Sequence, residues 1–468
     1  MTIETGRRGL LKGIGAAAAI LPAAPAPVFA ALRLPAMFDD IERRTFDYFW
    51  ETTNAANGLV PDRWPTPSFC SIAAVGFALT AYPIAVERGW ITRAQARERT
   101  LVTLRTFARL PQGPGASGTA GHKGFFYHFL DMQTGLRFRQ VELSSVDTTL
   151  LFLGVLFAGA WFDRADELEI RQLADTIVGR ADWRWFTNDR GTVSMGWHPE
   201  TGFIARPWEG YNEGMMVYIV GLGSGARPLA DGAWDAWAKT YPAFWRGEGA
   251  TRHLAFAPLF GHQYAPMWID FRGIRDATMR REGFDYFENS RRATYANRAY
   301  CIANPMGWAD YGRDIWGLTA CDGPADVQRP YRGRTATFFG YAARGPLGQP
   351  DERDDGTIAP TAALGSLAFA PEIVVPAARA MRRWPGLYGR YGFRDSFNPS
   401  FRYADAGSTS GTLGPRGWVA SDWLGIDQGA ILGAIANTRD EGVWRVMRRS
   451  PAIRRGLLRA GFAGGWLR

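Results

Sequence analysis

From residue 38 onward the chain alternates between two kinds of apolar pattern. One is amphipathic: Phe38, Ile41, Phe46, Phe49 and Trp50 recur at helical spacing over 38–51, and 167–178 repeats that form. The other is apolar all round. Leu150 to Phe157, inside a helical stretch over 145–162, is too short to cross a bilayer and predicts an inner helix buried on every side. Ser68 is the expected cap of a helix through Ala73, Phe77, Ala81 and Ile84. Thr92 is the expected cap of the next, through Ala96, Thr100, Leu104 and Phe107. Further helices are expected over 361–367, 372–383 and 427–438. Apolar helices alternating with more polar ones are what an inner ring inside an outer ring requires. Residues 247–345 read as less helical, with aromatic and Gly-rich loops that cover a cleft.

Between the helices lie short turn-centred segments. Gly58, Gly135 and Gly202 directly precede an apolar residue, and Gly356 lies two before Ile358; each can supply the positive φ of a tight hairpin. Two have aromatic, strand-like arms, at 125–129 and 193–198. The repetition fits a closed toroid whose loops gather on one face; unrelated surface turns are the alternative. No low-complexity linker divides residues 31–468, which are read as one domain.

The 468 residues are 46% hydrophobic and include 19 Trp, so a large core is available. The net charge of +9 comes mainly from Arg scattered among acids, with no basic run; this argues against nucleic-acid binding. Cys70, Cys301 and Cys321 have no CxxC spacing, leaving one 301–321 bridge or reduced buried thiols as the choices. Five His without HxH or HExxH spacing make no catalytic zinc signature, and there is no nucleotide motif, so no metal or cofactor is expected. Arg7-Arg8 before a mild apolar stretch ending Val28-Phe29-Ala30 resembles a twin-arginine export signal over 1–30, cleaved after Ala30. It implies passage through the Tat translocase, a periplasmic or secreted location and no stable membrane span in the mature chain.

One stretch concentrates the candidate chemistry: Arg206-Pro207-Trp208-Glu209-Gly210-Tyr211-Asn212-Glu213 runs straight into the apolar 214–220. Glycosidic hydrolysis needs a carboxylic acid to protonate the leaving oxygen and a second carboxylate as base or nucleophile. Glu213 and Asp147 are the candidate pair. Glu213 reads as first-turn, where the helix dipole alone would stabilise it and lower its pKa unless burial beside Trp208 and Tyr211 outweighs this. Asp147, in Ser144-Ser145-Val146-Asp147, is equally placed for a capping box. Trp208, Tyr211, Trp268 and Trp316 are candidate sugar platforms, with core packing as the alternative for each. Arg206, His262, Gln263 and Asp270 are candidate hydroxyl partners, although Asp270 can also simply pair with Arg. Glu142, Glu209, Asp310, Asp314 and Asp322 are reserve acids.

Seven stretches, VDTTLLFLG, WEGYNEGMMVYIVGLGS, HQYAPMWIDFRG, WGLTACDGP, DGTIAPTAALGSLAFAPE, LYGRYGFRDSFNP and WLGIDQGAILGAIAN, resemble the bacterial glycoamylase-like domain family. The resemblance keeps one order over roughly 38–460. That family includes endo-β-1,2-glucanases of glycoside hydrolase family 144 and domains of cyclic glucan synthases. It implies an all-α (α/α)6 toroid with short β-hairpins and a cleft of long aromatic loops at one end. It also implies a catalytic role at the position of Glu213 and for acids around the helix start at Asp147. The expected substrate is a β-glucan oligo- or polysaccharide, cleaved endo-fashion. A transglycosylase, an exo-acting enzyme and a glucan-binding protein without catalysis are the other readings.

Overall fold

The computed structural model describes residues 33–348, 352–407 and 410–468; the export signal expected over 1–30 lies outside them. Helices come in outer–inner pairs. They are α1 (Met37–Thr52) and α2 (Ile72–Glu87), α3 (Arg93–Arg109) and α4 (Ser145–Trp161), and α5 (Leu168–Gly179) and α6 (Gly214–Gly223). The fourth pair is short, α7 (Ala233–Ala238) and α8 (Tyr264–Trp268). After a single short helix, α9 (Ala277–Glu282), come α10 (Tyr286–Ala303) and α11 (Pro360–Leu364), then α12 (Pro371–Arg382) and α13 (Gly425–Asp440). Two last helices, α14 (Trp444–Met447) and α15 (Pro451–Arg459), complete the chain, α15 packing on α6. The fold is an (α/α)6 toroid.

The inner helices carry almost no polar face because they have no solvent to meet: all ten residues of α6 are buried, as is Ile72 to Ala85 in α2. Backbones touch where α2 crosses α4. A Cβ on Gly76 would lie 2.1 Å from the Leu150 carbonyl oxygen, and one on Gly154 would lie 2.1 Å from that of Gly76. Either substitution would therefore push the two helices apart. The middle of the ring is filled rather than open. Phe77 of α2 meets Tyr264 and Trp268 of α8 at ring-centroid distances of 5.8 and 4.9 Å. Trp268 Nε1 donates to Thr80 Oγ1 at 3.0 Å. Gln263 Nε2 ties α8 to α11 by donating to the Ala362 carbonyl at 2.7 Å.

Short antiparallel pairs lead into the inner helices. Residues 70–71 pair with 129–130 just before α2, and 143–144 pair with 196–197 just before α4. Residues 63–64 pair with 423–424 just before α13, joining the first helix pair to the last. The expected turn glycines all have positive φ: Gly58 73°, Gly135 71°, Gly202 81° and Gly356 83°.

Two expectations need correction. The cap of α2 is Ser71, whose Oγ accepts the Ala74 N–H, not Ser68, because 70–71 are held extended by strand pairing. The 247–345 region contains the 18-residue α10, whose many polar positions obscured it. Cys70, Cys301 and Cys321 are each buried and unbridged. Among the described residues no helix is long and apolar enough to cross a membrane.

Candidate active site

Because every inner helix follows its outer partner in the same sense, the inner N-termini collect at one end. Asp147 is the third residue of α4, Glu213 directly precedes α6, Tyr264 opens α8, and Asp427 is the third residue of α13. The buried Tyr264 phenol lies within the fields of Asp427, Glu213 and Asp147 together, which marks it as the floor between two acidic walls.

On the first wall, one hydroxyl organises the start of α4. The Asp147 N–H donates to Ser144 Oγ at 3.1 Å, and that hydroxyl donates to Asp147 Oδ2 at 2.6 Å. The carboxylate thus takes the Ser144 hydroxyl rather than completing a capping box. Its second oxygen, Oδ1, lies 3.4 Å from His128 Nε2, while His128 Nδ1 meets Glu142 Oε1 at 2.8 Å. Burial pushes Asp147 above the usual carboxylate range, with the His128 charge opposing. For His128 burial disfavours the charge, but Asp147 and Glu142 outweigh it and raise the ring to about 9. These three side chains are near enough to one another to suggest a cation site. The two carboxylates, however, sit at opposite nitrogens of the ring, one hydrogen-bonded and one at ion-pair distance, so the arrangement is a chain through the ring rather than three ligands facing one centre.

Glu213 stands apart from that chain. It has helical φ and ψ of −62° and −16° at the cap position, one residue before the expected first turn. The residue is 8% exposed and its Oε2 is buried with no hydrogen-bond partner. Burial, offset in part by a backbone N–H and by Arg206 and reinforced by the Asp147 charge, pushes it up to about 7. Burial therefore outweighs the helix end, and Glu213 keeps a proton close to neutral pH.

The opposite wall was not singled out from the sequence beyond Asp322. Arg63 Nη1 pairs with Asp322 Oδ2 at 2.7 Å and its Nε with Asp62 Oδ2 at 3.1 Å. Asp395 accepts the Asp322 N–H at 2.8 Å and is pushed to about 7 by burial and then by the Asp322 charge. Asp427 is raised well above the usual range by burial and by Asp395. Two buried carboxyls in contact cannot both ionise, so this pair holds a proton. A signal was present: Ile426-Asp427 before an apolar run repeats the Val146-Asp147 pattern at the start of α4.

The predicted binding residues mostly fall elsewhere. Arg206 is exposed beside Glu213. Trp208 is buried, its Nε1 donating to Ser145 Oγ at 2.9 Å, and Tyr211 is packed among His262, Tyr241 and Tyr286. Trp268 and Trp316 are fully buried. These four are core residues, not platforms: large rings next to an acidic loop serve the packing behind it. His262 accepts the Phe256 N–H and is pushed by burial to about 3, which leaves it neutral. Gln263 spends its amide on Ala362 and Ser366. Asp270 is locked by Arg272 at 2.7 Å and by Arg448. None of these three faces the cleft. Glu209 pairs with Arg190, and Asp310 with Arg416. Exposed aromatic rings lie instead on Phe203 and, next to the second acidic wall, on Tyr341, 62% exposed and paired in register with Asp322, and Trp64, 44% exposed beside Arg63.

Residues 205–451 match the glycoamylase family model, described as "Putative glucoamylase". A Parabacteroides distasonis exo beta-1,2-glucooligosaccharide sophorohydrolase (non-reducing end) is 27% identical over 90% of this chain, which spans 57% of that relative's length. Among solved structures, a "putative glucoamylase" from Bacteroides uniformis is 30% identical over 92% of this chain and 98% of its own, with a TM-score of 0.77. An endo-beta-1,2-glucanase from Chitinophaga pinensis, solved with sophorotriose and glucose, is 25% identical over 92% of this chain and 99% of its own, with a TM-score of 0.76.

Proposed function

The chain belongs to the glycoamylase family, and from that membership we propose that it is a glycoside hydrolase cleaving a β-1,2-linked glucan, with residues 31–468 as its catalytic domain. The observation that carries the reading is Glu213: a buried carboxyl, one oxygen of which has no hydrogen-bond partner, that keeps its proton near neutral pH within the field of Asp147 at the cleft end of the toroid. Glu213 is the acid that protonates the departing oxygen. Asp147, with the imidazolium of His128 beside it, is the second carboxylate, acting as base or nucleophile. Tyr341 and Trp64 offer ring faces to the sugars, and Arg206 a cation for hydroxyls near Glu213.

The cut is endo, in line with the activity of the Chitinophaga neighbour. The Parabacteroides relative, named as exo-acting, supports the second reading, in which disaccharides leave from a chain end. Early products from linear β-1,2-glucan decide between them by chromatography: a ladder of oligomers means endo cleavage, and sophorose alone means exo. An absence of any cleavage would sink both. The same proposal places the enzyme outside the cytoplasm, motivated by Arg7-Arg8. An exported form starting at Ala31, seen by mass spectrometry, is the expected result; retention in the cytoplasm after Arg7→Lys, Arg8→Lys and wild type alike would refute it.

A further inference from the structure

His128 is neither of the two carboxylates of the scheme, yet it is tightly held in the cleft. Its backbone is pinned on both sides: its N–H donates to the Glu142 carbonyl at 3.0 Å, and its own carbonyl accepts the Ile72 N–H at 3.4 Å, at the start of α2. Its ring stacks on Phe129 with centroids 3.8 Å apart and a 25° interplanar angle, and Phe129 rests on Phe69 at 4.1 Å. The ring cannot swing without unstacking. About 30% of the side chain is exposed, which opens it to the cleft.

Each ring nitrogen faces a carboxylate, Nδ1 toward Glu142 at 2.8 Å and Nε2 toward Asp147 at 3.4 Å. Neutral imidazole has one N–H and one lone pair, so one of the two acids would face a lone pair. With both carboxylates ionised, only the doubly protonated ring presents an N–H to each. The more distant charges agree: Asp62 lies within reach of the ring, paired with Arg63, which also holds Asp322. On the far side of Glu142 is His198, which contacts Arg137, itself paired with Glu200. Glu213 has no such partner; its charged neighbours are Asp147 and Arg206. One carboxyl of the pair is thus held against a fixed cation and the other is buried with one oxygen lacking a hydrogen bond, the arrangement that sets two acids to opposite tasks.

We propose that His128 is a positioning residue of the cleavage reaction, a fixed imidazolium clamped between Glu142 and Asp147 that orients the Asp147 carboxylate and keeps it ionised while Glu213 stays protonated. This rests on the hydrolase reading above. It does not make His128 a proton donor to substrate; it acts through Asp147.

Two measurements on the whole chain test it. The first is the ring titration by NMR with 15N-histidine. The doubly protonated ring is expected at pH 7, with a midpoint near 9 that falls in Glu142→Gln. A neutral ring at pH 7, or a titration indifferent to Glu142→Gln, would overturn the proposal. This needs no turnover, so it stands even if the wild type cleaves no glucan and the hydrolase reading fails. The second is the pH profile of His128→Gln on β-1,2-glucan. We expect kcat to fall about 100-fold with KM little changed. The acid limb should move to higher pH as Asp147 loses its cation, and the alkaline limb, set by Glu213, should stay. An equal loss at every pH would mean a merely structural role. Activity abolished by EDTA and restored by zinc would mean that the three side chains bind a metal instead. Either result refutes the clamp.

Discussion

Two buried acidic places in this molecule look alike by position and differ in satisfaction. Asp355 and Arg344 are both fully buried and paired twice, at 2.7 and 2.9 Å. The guanidinium also donates to the Cys321, Ala342 and Phe339 carbonyls, and the carboxylate accepts the Phe339 and Thr357 N–H groups. Although burial works against it, Arg344 holds Asp355 below the usual carboxylate range. Glu213 is nearly as buried, but Oε2 has no partner and its pKa is raised to about 7. Burial with every lone pair answered builds structure. Burial with one left open retains a proton, and that proton is what a glycosidase acid spends.

The comparison is most sharply broken at Glu213. Glu213→Gln should lower kcat on glucan by about 10³–10⁴-fold, read as turnover at saturating substrate. It should also stabilise the fold at pH 8. Native Glu213 releases its proton near 7 and the unfolded chain near 4.5, so the native state loses stability as pH rises from about 4.5 to 7, and the loss is complete above that. Gln removes that loss, by about 3 kcal/mol at most, measurable as a higher urea midpoint. The same variant should show no such gain at pH 4, where both states are protonated.

Arg344→Met is the opposite case. It strands Asp355 without a counter-charge and should cost about 3–5 kcal/mol in denaturant unfolding. The surviving folded fraction should keep its KM. Tyr341→Ala should leave stability nearly unchanged while raising KM roughly 3–10-fold, as expected for loss of a sugar-stacking face. The smallest effect is expected of Trp208→Phe. It removes the bond to Ser145 and should cost about 1 kcal/mol in stability with no change in KM. A large KM effect there, and none at Tyr341, would restore Trp208 as a platform.

The inner helices α2, α4, α6, α11 and α13 were legible because their apolar spacing is imposed by the ring itself, while the short α7 and α8 were not; α4 and the Thr92 cap of α3 fall where the pattern puts them. The long helix α10 was not, since much of its surface is polar and its few buried positions are held by small or polar residues such as Asn289, Ser290, Thr294 and Asn297. Glu213 and Asp147 were legible as acids at the starts of apolar runs. The aromatic platforms were misplaced because a Trp in an acidic loop reads the same whether its ring faces the cleft or the core; Trp208 and Trp268 each send the indole N–H to a buried hydroxyl. His128 was hidden inside the aromatic run Phe125 to Phe129, and Asp395 and Asp427 meet only through pairing of distant segments.

The most direct test of the central claim is the pH dependence of kcat/KM on linear β-1,2-glucan. The account predicts a bell whose alkaline limb has a midpoint near 7, the pH at which Glu213 gives up its proton. That limb should move to lower pH in Asp147→Asn, measured on its residual activity, because the neighbouring negative charge is gone. Activity undiminished to pH 9 would contradict the account and require another acid.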